Sequence, residues 1–200
     1  RFGVSGNKVV KVRVVDVQGN FGETSLQIIN DPSLLNQLAT EFLQRYCTTG
    51  NPPRLVRFII SDPLVVYNPK EVPQYIVEAA CEFWRKYTPL NPRPVTSAPP
   101  GNNIVIRANF DSDPGYAAVT ERFYDDSWTV SAGRITLYRG WQVASEGYKI
   151  TAIAHELGHV LLIQKDSPPD WHTNDGSLMD TYPQRMVLHP HQQEACKVLY

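Results

Sequence analysis

The segment 145–164, SEGYKITAIAHELGHVLLIQ, constrains this chain more than any other. Ile150, Ile153, Leu157, Val160 and Leu161 recur at helical spacing, so the segment is expected to be a helix set into the core. Yet His155, Glu156 and His159 stand in its middle. An unpaired carboxylate and two imidazoles are costly to bury, so the fold must bring them partners. His155 and His159 are four residues apart and project from one helical face. Two imidazole nitrogens so placed can both reach one Zn2+ at roughly 2.0–2.1 Å. Glu156, one step round the helix, can reach a water on such an ion without being a ligand. A general base in metal-assisted hydrolysis needs that position.

The rest of the chain supplies a frame. NKVVKVRVVDVQ (7–18) reads as a strand and NDPSLLNQLATEFLQRY (30–46) as a helix. CTTGNPP (47–53) is a break, and a boundary is placed near residue 50, between an N-terminal extension or lobe (1–50) and the remainder (51–200). Next come an apolar strand region (54–67) interrupted at Asp62-Pro63, then a helix within 69–90 carrying Val72, Ile76, Phe83 and Trp84. NPRPVTSAPPGNN (91–103) reads as a loop, NIVIRANF and GRITLYRGW as strands, and the last helix starts near Pro190. Strands and helices mix without a regular βαβ rhythm, which gives an α+β class.

With 42% hydrophobic residues in 200, the chain can bury the core of one domain, with or without an extension. Its formal charge of -1 gives no electrostatic reason to expect nucleic acid or an anionic membrane surface as partner. The apolar runs are too short for membrane insertion, which needs roughly 20 residues. The opening RFGVSGNKVV, without Met or a signal-peptide core, is expected to belong to a processed or trimmed piece. Cys47, Cys81 and Cys196 form no CxxC pair; one disulfide with a free thiol and three buried thiols both remain open. Asp111 and Asp113 supply too few oxygen ligands for a calcium loop. His189 and His191 are explained by capping and exposure rather than by a second metal.

HELGH at 155–159 with SLM at 177–179 resembles the zinc site of matrixin-like metzincins. The resemblance extends as a series from about residue 54 to the end. IVEAACEFWRKYTPL looks like their first long helix, NIVIRANF like the strand after it, GRITLYRGW like the edge strand of the cleft, and VLHPHQQEACKVLY like the closing helix. Residues 1–50 have no such counterpart. In the metzincin pattern a glycine ends the zinc helix and a third His follows three residues later. Here those positions hold Leu162 and Lys165. The helix is therefore expected to run on by about a turn and stop before Ser167-Pro168-Pro169.

A catalytic zinc site keeps three protein ligands. His172 is the first strong donor after that stop, and HTNDGSLM resembles the stretch joining the third His to the Met-turn. His172 is taken as the third ligand; Asp166, Asp170 and Glu194 compete with it, and Glu194 would make the site gluzincin-like. The resemblance implies a zincin-like catalytic domain: a twisted mixed sheet, a long backing helix, an active-site helix and a C-terminal helix. It implies one catalytic Zn2+, Glu156 as base and Met179 as the Met-turn residue beneath the metal. It also implies a secreted, monomeric endopeptidase acting on proteins or peptides. Substrate would pair with ITLYR, so Ile135, Thr136, Leu137 and Tyr138 are candidate substrate contacts. Tyr182, in LMDTYP where relatives often have LMYP, would line the S1′ pocket, approach the metal, or pack. A zinc-containing binding module and a latent peptidase without turnover are the alternatives; a pure binder has no need of Glu156.

Overall fold

Apolar residues alternate along three segments, Leu64 and Val66, Ile104 and Ile106, Ile135 and Leu137, and all six are fully buried. This period of two puts one face of each strand into a common core. The computed structural model describes residues 6–15, 21–30, 32–49, 54–55, 58, 64–97, 104–125, 129–161, 163, 178–179 and 186–200. An antiparallel pair, β1 (Gly6–Val15) and β2 (Phe21–Asn30), comes first, followed by helix α1 (Pro32–Tyr46). A short antiparallel pair, β3 (Thr48–Thr49) and β4 (Arg54–Leu55), leads on to β5 (Leu64–Tyr67) and helix α2 (Gln74–Tyr87). The remaining elements are β6 (Pro92–Val95), β7 (Ile104–Asn109), β8 (Ala118–Tyr124), β9 (Val130–Tyr138), α3 (Arg139–Val143), α4 (Glu146–Leu161) and α5 (Pro190–Leu199). The fold is α+β, with a mixed five-stranded sheet and five helices among the described residues.

The sheet has the order β6-β5-β7-β9-β8. Every neighbouring pair is parallel except β8 and β9, which are antiparallel. Helix α4 lies against β8 and β9, α2 lies against β6, and the two helices pack on each other. Trp84 joins them: its ring is buried and its indole Nε1 donates to the Ala154 carbonyl at 2.7 Å. Gly133 of β9 allows the sheet to approach α4, because a Cβ there would stand 2.6 Å from Val160 Cγ1. Helix α1 precedes the expected boundary near residue 50, yet its Ala39, Phe42, Leu43 and Tyr46 belong to the same buried cluster as α5. Phe42 meets the His191 ring at 5.6 Å.

Four readings of the sequence are corrected here. Residues 92–95, expected in a loop, form strand β6; two prolines are tolerated because β6 is an edge strand among the described residues, where a missing N–H breaks no ladder. Residues 139–141, expected to extend a strand, open the short helix α3, whose Trp141 is buried. Strand ITLYR is not an edge. Ile135, Thr136, Leu137 and Tyr138 face β7 on one side, and the first three also face β8 on the other. The amide of Tyr138 is given to Ala117 O at 2.9 Å. With both hydrogen-bonding rows used and Ile135 and Leu137 in the core, these residues cannot receive an added strand. Finally, His189 and His191 are buried rather than exposed, although His189 does cap α5 as expected, in a capping box with Gln192.

Candidate metal centre

The apolar spacing along α4 turns one face to the core, and His155 and Glu156 go in with it at 8% exposure each. Both histidines are held through the same ring atom. His155 Nδ1 lies 2.6 Å from the Leu178 carbonyl, and His159 Nδ1 lies 2.8 Å from the Ile163 carbonyl. A carbonyl oxygen only accepts, so each Nδ1 carries the proton, and the neutral form of each ring has its lone pair at Nε2. The two Nε2 atoms face each other at 3.1 Å. Two lone pairs at that separation repel unless a cation or a shared proton lies between them. Donors about 2.0–2.1 Å from one tetrahedral zinc ion would be roughly 3.3 Å apart. The pair fits zinc, with both tautomers fixed by main-chain carbonyls as metal-binding histidines require.

Leu178, which supplies one of those carbonyls, is followed by Met179 in a buried turn. A Cβ at Gly158 would lie 2.5 Å from Met179 Sδ and 2.6 Å from a Trp84 ring carbon. The glycine inside HELGH thus lets sulfur and indole press against the helix between the two histidines.

Helix α4 ends at Leu161, about a turn earlier than its sequence suggests. No local glycine stops it; distant groups take its last carbonyls. The amide of Ile163 donates to Gly158 O at 2.9 Å, and Nη1 of Arg122 donates to His159 O at 3.1 Å and Ile163 O at 3.3 Å. Leu161 O accepts from Tyr200 Oη and from the Phe58 amide. The early stop presents the Ile163 carbonyl to His159. A cation at this C-terminus also opposes the helix dipole. Burial pulls the Arg122 guanidinium below its ordinary pKa, while nearby Tyr124 and Glu156 act in the opposite direction.

Glu156 Oε2 accepts from Thr120 Oγ1 at 2.7 Å. Thr120 and Arg122 are alternate residues of β8 and meet α4, while Glu121 between them pairs with Arg134 at 3.1 Å. Neither Thr120 nor Arg122 is found by reading the sequence. AVTERFY puts a threonine and an arginine, not apolar residues, on the helix-facing side, so the alternation rule passes over it. Its content of β-branched and aromatic residues is the signal that could have marked it.

His172 and Tyr182 lie outside the described residues, as do the competing Asp166 and Asp170. The other competitor, Glu194, is on α5 and pairs with Lys197 at 2.8 Å. Among the described residues no group of three His, Cys, Asp or Glu side chains gathers around one point. All three cysteines are buried free thiols. No protein-family model and no curated protein matches the chain.

Proposed function

We propose that this chain is a zinc-dependent endopeptidase of metzincin type, with His155, His159 and His172 as the metal ligands. The convergence of the Nε2 atoms of buried His155 and half-buried His159 at 3.1 Å, with each Nδ1 given to a carbonyl, carries the reading. The turn at Leu178 and Met179 beneath α4, and a mixed sheet with an antiparallel edge strand, support it.

When bound, zinc supplies a Lewis acid that polarises a peptide carbonyl and acidifies water at the site. Glu156 is the base: its carboxylate takes a proton from the attacking water and passes it to the leaving amine. Thr120 occupies Oε2, which leaves Oε1 to receive that proton. An extended substrate adds by main-chain hydrogen bonds to β8, which closes that side of the sheet among the described residues.

The test is cleavage-site profiling on a complex peptide library, with Glu156→Ala in parallel. Cuts made by the native chain and missing from the variant are expected. A zinc-loaded native protein that makes no cuts would favour a binding module or a latent form instead.

A further inference from the structure

Resting on this reading of Glu156 as base, we infer that Thr120 is its positioning residue: a hydroxyl on the sheet edge that fixes the carboxylate in place. The hydroxyl oxygen lies 2.7 Å from a carboxylate oxygen and 3.1 Å from the main-chain oxygen of the same residue. Thr120 has one proton to give, and the shorter contact, to a charged acceptor, takes it. Glu156 is almost wholly buried, so a carboxylate there without a donor would be left poorly solvated. A long side chain with several rotamers is thereby held in one.

The anchor is rigid. Thr120 pairs with Ile135 in the antiparallel ladder, and Ile135 is fully buried. Two residues along, Arg122 pairs with Gly133 and holds the C-terminal carbonyls of α4 through Nη1. One strand therefore fixes both the base and the end of the helix that carries it. A substrate adding to this strand would lie beside the residue that orients the base.

The experiment compares Thr120→Val, which keeps the shape and removes the hydroxyl, with Thr120→Ser, which keeps the hydroxyl. Two readouts are taken on the full chain. The first is the side-chain carboxyl 13C resonance of Glu156, assigned through its loss in Glu156→Gln; it needs no turnover. The second is kcat and KM on fluorescein-labelled casein, with bound zinc measured alongside. Thr120→Val is expected to shift the resonance and lower kcat by ~10–100-fold, with KM and zinc content unchanged, and Thr120→Ser to restore both. A resonance that stays in place in Thr120→Val overturns the inference. So does a shifted resonance with unchanged kcat, or a loss confined to KM. If the native chain leaves casein intact, the peptidase reading fails on that control, and the resonance alone decides whether Thr120 holds Glu156.

Discussion

His155 Nδ1 donates to the carbonyl of Leu178 at 2.6 Å, joining α4 to the residue just before Met179. The bond decides which nitrogen of His155 can bind a metal. It also means that the proposed metal site would form only when the chain around residue 178 is folded against α4. Zinc bound there would then contribute folding free energy.

From this it follows that His155→Ala and His159→Ala each lose bound zinc. His172→Ala is expected to lose it too, while Glu194→Ala keeps it, since Glu194 is already paired with Lys197. Metal content by mass spectrometry reads the result directly. Zinc that survives loss of His172 and disappears with Glu194 would sink the ligand set. Chelation of the native protein should lower its melting temperature; a ligand at a hundred times its Kd contributes about 2.7 kcal/mol.

Gly158→Ala is expected to destabilise the fold by about 1–3 kcal/mol, read from the urea midpoint. The new Cβ meets Met179 Sδ at 2.5 Å and Trp84 at 2.6 Å, so overpacking wins. Helix propensity alone predicts the opposite sign, a gain of up to about 1 kcal/mol. Gly147, on the same helix with nothing within 4 Å, is the control: Gly147→Ala should be neutral or stabilise by a few tenths. A stabilised Gly158→Ala would show that this contact is not tight.

Arg122→Met keeps much of the apolar stem but removes the donor to His159 O and Ile163 O. The expected cost is about 2 kcal/mol, the scale of hydrogen bonds from a charged group. Because Ile163 O also holds His159 Nδ1, zinc affinity should fall with it, by ~10-fold or more. Unfolding and zinc titration of the same variant check both. A loss of stability with zinc affinity intact would separate the helix end from the metal site.

Burial raises all three thiols, with Cys81 and Cys196 each pushed up to about 12. The thiolate is the nucleophile, and four units below its pKa only about one thiol in 10,000 is ionised. Iodoacetamide at pH 8 is therefore expected to leave the native protein unlabelled and to label all three cysteines once urea opens the core. Fast labelling of the native chain would show a thiol at the surface.

Much of the candidate metal centre is legible because helical spacing is local. The four-residue interval between His155 and His159 fixes their shared face, and the apolar residues around them fix burial. Helices α2 and α5 and strand β7 follow from similar short-range patterns. What the sequence hides depends on partners far away along the chain. ITLYR has the alternation of any good strand, and only the ladders to β7 and β8 show that it is interior. The end of α4 is set by Arg122, Phe58 and Tyr200, none of them near it in sequence. Thr120 earns no notice until β8 is laid beside α4. The sequence by itself determined which side chains share a face, because that depends on helix and strand periods alone. The tertiary structure decided which carbonyl fixes each histidine, which hydroxyl holds the carboxylate and which strand forms the edge, because hydrogen bonds are short and these partners meet only when the chain is folded.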